Sequence, residues 1–251
     1  MYICIMRVFI ILLLLAQFSF TKSLEKVVLE EYITVGVKYD YKPFSFINNE
    51  GRLEGFDIDL IKSMMDILNI RVKFVEVSSN NKEKMLLDGK IDILLTDMIP
   101  QENKNNDIIF TKPYFFDDQI ILVNSTTKIN NFSDLKGKHV GSIKGSIRLE
   151  NLLKIQPDVI SLTFTQYPQL ITALSFKNID AVTADSLWAK EQIQSHYGKF
   201  KILNEVICNN KYAIALTSDN IKLKEKINLL FEEISNNNTY ENIYKKWFKA
   251  K

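Results

Sequence analysis

The chain has 251 residues, 46% hydrophobic and 25% charged, with 32 Lys and Arg against 30 Asp and Glu. That composition is typical of a folded globular protein and excludes a disordered or low-complexity chain. Arg7 and Lys22 precede the first acidic residue, and setting them aside balances the charges, so nothing in the net charge calls for nucleic acid or an anionic membrane as partner.

In chain order, Arg7 comes first, followed by an apolar run over 8–15 that Ala16 and Phe18 extend toward Thr21-Lys22-Ser23. This pattern predicts a secretory signal peptide over 1–23, cut after the small residues Thr21 and Ser23, with the remainder exported to the periplasm. The alternative, a membrane anchor, needs about 20 apolar residues, more than this run supplies. Cys4 lies before the apolar run and does not fit lipid attachment at the cut. Cys208 is then alone, and reads as a small buried residue with no disulfide.

Beyond the leader, short β-rich runs at 33–37, 72–77, 91–95, 120–123, 140–142, 162–164, 181–183 and 213–216 alternate with segments of helical apolar spacing, such as Leu60, Ile61, Met64, Met65 and Leu68. Such alternation predicts an α/β fold with mostly parallel sheets flanked by helices. Asp57 is placed to N-cap the helix that carries the Leu60 stripe, and Asp59 to favour its positive end. The polar stretch 124–131 suggests that the chain passes near Ile121 into a second unit. It is expected to return near Tyr212, with the last helices, 223–234 and 240–248, packing on the first unit. The expected organisation is one lobe of 24–121 plus 213–251 and another of 122–212. Two adjacent crossings make a hinge, and ligands of open sheets bind outside the carboxyl ends of the strands.

The opening Gly36-Val37-Lys38-Tyr39-Asp40-Tyr41-Lys42-Pro43-Phe44-Ser45-Phe46, followed by Gly55-Phe56-Asp57-Ile58-Asp59-Leu60, is joined by Asp88-Gly89-Lys90-Ile91-Asp92, Phe110-Thr111-Lys112-Pro113-Tyr114, Asp134-Leu135-Lys136-Gly137-Lys138 and Lys144-Gly145-Ser146. Asp180-Ala181-Val182-Thr183-Ala184-Asp185 and Tyr240-Glu241-Asn242-Ile243-Tyr244-Lys245-Lys246-Trp247-Phe248 complete the series. In this order the segments resemble the bacterial extracellular solute-binding protein family 3, the two-lobed receptors of polar amino-acid ABC importers. The resemblance implies a type II periplasmic-binding-protein fold, with two sheets joined by a two-strand hinge. It also implies a monomer that binds a small polar solute, hands it to a membrane permease, and needs no cofactor. The ending implies a chain that stops with the binding domain.

The resemblance assigns Tyr41 to the aromatic position that packs on the ligand, where a ring offers area and attracts cations. The other reading of Tyr41 is packing within its own lobe. Ser146, after Gly145, matches the residue that holds a ligand carboxylate through its amide and hydroxyl at a helix N-terminus. Asp185 matches the acid that pairs with a ligand ammonium. For both Ser146 and Asp185 the plain alternative is a helix cap.

The chain also departs from the family's pattern. Lys104 falls on the position of the family's carboxylate-clamping Arg, keeping the charge but losing the planar fork. Its alternative is a solvated loop lysine. Asp97 stands where Gly is usual, Ile99 where a hydroxyl is common, and Met98 lies between them in the same candidate wall. Ser79 is nearest to the missing second aromatic, and Lys38 replaces an acid. Two ligand readings follow: an amine-bearing solute on Asp97, Asp185 and Tyr41, or an α-amino acid held by Lys104 with Lys38.

His139 and His196 read as surface or capping residues, and no motif of metal-dependent or nucleophilic catalysis occurs. No metal site and no catalytic residue is expected. Two further function classes stay open at this point: a sensor that docks on a membrane kinase, and an enzyme like cyclohexadienyl dehydratase, which shares the fold and needs one perturbed carboxyl.

Overall fold

The structure is a computed structural model that describes residues 22–100 and 106–248. Helix α1, Leu24–Glu30, precedes strands β1 Tyr32–Val37, β2 Asp40–Tyr41, β3 Ser45–Ile47 and β4 Leu53–Glu54. Then come α2 Phe56–Asp66, β5 Arg71–Glu76, α3 Lys82–Leu87, β6 Ile93–Leu94 and β7 Ile108–Phe110. A second group follows: β8 Phe115–Asn124, a 3-10 turn Phe132–Leu135, β9 His139–Ile143, α4 Ile147–Ile155, β10 Ile160–Phe164, α5 Tyr167–Ser175 and β11 Ala181–Asp185. The chain ends with α6 Ser186–Ser195, β12 Phe200–Ile202, β13 Cys208–Tyr212, β14 Ala215–Thr217, α7 Ile221–Asn236 and α8 Thr239–Phe248.

Two larger sheets organise these elements. One has the order β5-β1-β6-β14-β7, the other β10-β9-β11-β8-β12 with β13 also on β8, and β2-β3-β4 form a small third sheet. The sheets are mixed rather than mostly parallel. The βαβ units make the parallel part, β5-β1-β6 and β10-β9-β11. The strands next to the passages between the sheets, β8 and β14, run antiparallel to their neighbours. Every strand run read from the sequence holds a strand. Most of those that escaped it, such as β2, β7 and β12, are two or three residues long, too short to show an alternating period, whereas the five-residue β13, Cys208–Tyr212, was hidden by its polar Asn209-Asn210-Lys211.

The strand expected at 120–123 is the ten-residue β8, and all of it belongs to the second sheet, paired with β11, β12 and β13 from Phe115 onward. At both passages the backbone is tied across: the Tyr114 amide donates to the Tyr212 carbonyl at 2.9 Å, and that of Thr111 to Ile214 at 3.0 Å. Rings of Phe44, Phe56, Phe115, Tyr212 and Phe248 pack there at centroid distances from 5.0 to 6.2 Å. Such a cluster buries much apolar area at the point where the sheets join.

Of the expected leader, residues 1–21 lie outside the described residues. Lys22 and Ser23 belong to the folded part: the Lys22 amide donates to Asp92 at 2.9 Å, its ammonium pairs with Glu30 at 2.8 Å, and Ser23 caps α1. Among the described residues no helix is long and apolar enough to cross a membrane. Cys208 is a free, half-buried thiol.

Asp57 is not the N-cap of α2. Gly55 holds that position, and the free amides of Phe56 and Asp57 donate to the carbonyls of Pro43 and Phe44 at 3.0 and 2.9 Å. The Asp57 carboxyl points inward, is buried, and accepts from the Tyr114 hydroxyl at 3.2 Å. Burial, with the Asp97 charge adding to it, pushes its pKa up from 3.8 to about 8, against the Tyr114 bond and Lys38. Between those values the native chain holds a proton that the unfolded chain has released, so this group makes stability fall as pH rises, by up to about 1.4 kcal/mol per unit. Asp57→Asn should therefore remove a decline between about pH 4 and pH 8. Denaturant unfolding of both proteins at pH 5 and pH 8 checks it, and an equal stability difference at the two values would contradict it.

Candidate functional site

Lys38 follows β1, Tyr41 ends β2, Asp97 lies just past β6, and Lys82 opens α3, all on the first sheet's side. Facing them are Ser146 and Arg148 at the start of α4, Tyr167 at the start of α5, Asp185 at the end of β11, and Asn210 and Tyr212 in β13. These side chains meet at the carboxyl ends of the parallel strands, where an open sheet leaves room for a ligand.

The charges are closely interlocked. Asp97 lies 2.7 Å from the Lys38 ammonium, 3.5 Å from that of Lys82, and accepts from Arg148 Nη1 at 2.8 Å. Burial would raise the Asp97 pKa, but the three cations hold its carboxyl well below the usual range. Arg148 meets Asp185 with a two-pronged contact, Nε to Oδ1 at 2.8 Å and Nη2 to Oδ2. Its Nη1 also donates to the Ser146 hydroxyl at 2.8 Å. Burial alone would lower the Arg148 pKa, yet Asp185 and Asp97 keep it well above its ordinary value. Lys82, buried among Lys38 and Arg148, is pushed down to about 8, with Asp97 opposing the shift.

Aromatic rings close the sides. Tyr41 stacks on Phe44 of its own lobe and on Tyr167 from the opposite side, each at 4.9 Å between centroids. Its hydroxyl donates to Asp185 Oδ2 at 2.6 Å. Lys38 lies 5.1 Å and 5.2 Å from the Tyr41 and Tyr167 ring centres. Tyr41 thus packs within its own lobe, as one of its two readings expected, and its second ring face is covered by Tyr167 from the opposite side.

Two cavities flank this cluster. One, of about 50 Å³, is lined by Lys82, Met98, Ile99, Phe110, Ser146 and Arg148 among others. The second, of about 110 Å³, is lined by Lys38, Tyr39, Ser78, Ser79, Gln166 and Tyr167 among others. Gly145 sits where the two sides nearly touch, since a Cβ there would lie 2.9 Å from the Ser79 carbonyl oxygen. Only glycine permits that approach without a shift of backbone.

The site residues read from the sequence are largely gathered here. Lys38, Tyr41, Asp97 and Asp185 lie in one cluster, Met98 and Ile99 line the smaller cavity, and Met98 also accepts the Ala213 amide at 3.0 Å. Asp185 is the N-cap residue of α6 but makes no capping bond, its carboxylate turning to Tyr41 and Arg148 instead. Ser146 does cap α4, accepting from the Arg148 amide at 3.2 Å, and at the same time holds the Arg148 guanidinium. Lys104 lies outside the described residues.

Arg148, Lys82, Tyr167, Asn210 and Tyr212 were not read from the sequence. For the first two a signal was available: each is a cation in the first turn of a helix, where the helix dipole disfavours positive charge. A cation in that position calls for an anion nearby, and here Asp97 and Asp185 supply it.

Two α/β units that clasp a buried polar cluster between strand ends define a solute-binding protein of the cleft type. The profile of the bacterial extracellular solute-binding proteins, family 3, matches residues 33–250, and the chain belongs to that family. It is 34% identical over 201 residues to the glutamine-binding protein of Geobacillus stearothermophilus, covering 77% of this chain and 76% of the relative. It is 32% identical over 224 residues to the ABC transporter glutamine-binding protein of Bacillus subtilis, covering 86% and 81%. Among solved structures, an ancestral arginine-binding protein bound to glutamine superposes with a TM-score of 0.82 at 32% identity, covering 88% of this chain and 99% of that one.

Proposed function

We propose that the chain, exported by a cleaved signal peptide, captures one small polar solute in the cleft as a monomer and delivers it to the permease of an ABC importer. The observation that carries this reading is the cross-lobe cluster of Lys38, Tyr41 and Asp97 with Arg148 and Asp185, placed at the strand ends and buried. Family membership and an ABC-transporter relative support the importer. The hinge in this reading lies at 111–115 and 212–214, ahead of the passage near Ile121 that the sequence suggested. The lobes are then 22–114 plus 213–248, and 115–212.

The reading favours capture over chemistry, because Asp97 and Asp185, the carboxylates at the centre of the cleft, are engaged by internal cations rather than poised as proton donors. A ligand that binds only the folded form stabilises it by RT ln(1 + [L]/Kd), about 2.7 kcal/mol at a hundredfold excess over Kd. Thermal-shift screening of amino acids, small amines and small carboxylic acids should find a concentration-dependent rise. Absence of any rise across all three groups would remove the receptor reading.

A further inference from the structure

The receptor reading leaves open what kind of solute the cleft accepts, and the hydrogen bonds inside it are specific on this point. A carboxylate offers about four acceptor positions. Those of Asp185 are filled from within the chain: Oδ1 accepts from Arg148 Nε at 2.8 Å and from Asn210 Nδ2 at 3.3 Å, while Oδ2 accepts from Tyr41 at 2.6 Å and from Arg148 Nη2. Asp97 is surrounded by Lys38, Lys82 and Arg148. A ligand ammonium at the centre of this cleft meets Asp97 and Asp185 already paired with cations of the chain, while the more exposed Glu83, Asp40 and Glu76 stand at the walls of the flanking cavities.

One donor, Lys82, is less fully engaged than the rest. Lys82 is buried, lines the smaller cavity, and reaches Asp97 only at 3.5 Å, with no side-chain hydrogen bond from its ammonium among the described residues. Ser146, Ile147 and Arg148, which open the nine-residue helix α4, line the same cavity, so the amide-rich positive end of that helix faces it as well. In formal charge the buried cluster holds three cations, Lys38, Lys82 and Arg148, against two carboxylates, Asp97 and Asp185. The other buried acids nearby are Asp57, which burial pushes up to about 8, and Asp117, which burial pushes up to about 7 and which accepts from Ser186 and the Leu187 amide behind Asp185; the more exposed Glu83, Asp40 and Glu76 line the cavity walls. A buried excess of positive charge is costly unless an anion joins it.

We infer that the solute is a small carboxylate whose binding needs no amine, because Arg148 occupies Asp185 as a built-in cation and the cavity beside it presents the Lys82 ammonium and the start of α4. This inference rests on the receptor reading and narrows it. It also sets aside the amine-bearing solute that Asp97, Asp185 and Tyr41 suggested in the sequence.

Calorimetric titration of matched pairs tests it: succinate with L-aspartate, glutarate with L-glutamate, and glutaramate with L-glutamine, with cadaverine as the cation. A thermal-shift panel of small hydroxy, oxo and dicarboxylic acids beside the common amino acids widens the range. In the pair that binds most tightly, the amine-free acid should bind at least as well as its amine-bearing partner, and cadaverine should not bind. In Arg148→Met the seat on Asp185 is vacated, so preference should move at least tenfold toward the amine-bearing member. If that variant fails to fold, the wild-type pairs decide alone. Tighter binding of the amine-bearing member by the wild-type protein, or no change of preference in a folded Arg148→Met protein, overturns the inference and leaves the receptor reading standing. If no acid, amino acid or amine binds, both fall together.

Discussion

Asp97→Asn is expected to leave the chain folded and abolish its ability to close around a solute. Asp97 is the carboxylate on the first lobe that faces three cations, two from its own side and Arg148 from the other. Removing one partner of a buried ionic contact costs about 3–5 kcal/mol, since the remaining charges stay desolvated. Here the hinge offers a way out. When the lobes part, Lys38 and Lys82 regain water, and Arg148 keeps its two-pronged contact with Asp185 within the second lobe. The cost therefore falls on closure rather than on folding. Affinity for the solute should drop by about 100- to 5,000-fold, and the melting temperature of the empty protein should change by only a few degrees. Calorimetry and thermal melts measure the two effects separately. Affinity within tenfold of wild type would show that Asp97 does not tie the lobes together.

Gly55→Ala should have the opposite character, damaging the fold before the site. Gly55 has φ of 140°, a region closed to residues with a side chain, and a Cβ there would lie 2.1 Å from the Phe44 carbonyl oxygen and 2.9 Å from the Ser45 Cα. The obstacles are backbone, so no side-chain rotation relieves them. The same carbonyl accepts the Asp57 amide, so the clash forces apart the contact that starts α2. A loss of more than about 4 kcal/mol is expected, a large fraction of the 5–15 kcal/mol that holds a typical protein folded. For a chain of this size that corresponds to a fall in melting temperature of roughly 10 °C or more. The hairpin that carries Tyr41 is anchored through this turn, so whatever protein folds should also bind weakly. A drop of less than about 3 °C would show that the turn rearranges freely.

The parts of this protein that were legible in its sequence are those specified by local pattern. Strands such as β1 and β9 show in short β-rich runs, and the family resemblance singled out Tyr41, Ser146 and Asp185, which lie at a strand end, a helix start and a strand end. The parts that were not legible depend on partners far along the chain. Arg148 belongs to the site because Asp97 and Asp185 are there, at separations of 51 and 37 residues that no local window joins. Asp57 has the residue type of a cap, but carbonyls from the preceding hairpin had already taken the helix amides, leaving its carboxyl to burial. The antiparallel share of both sheets follows from strands that pass between lobes, which alternation of strand and helix does not encode. The early start of β8 was hidden because Asp117, Asp118 and Gln119 interrupt its apolar run, although Asp117 and Gln119 are buried and bonded within the second lobe.

The most direct measurement of solute capture by lobe closure is small-angle X-ray scattering of the wild-type protein, before and after saturation with the solute that gives the largest thermal shift. A receptor of this kind should show a smaller radius of gyration on binding, with one solute per chain by calorimetry and no change in the mass of the scattering particle. A solute that binds tightly while the radius of gyration stays constant would contradict closure.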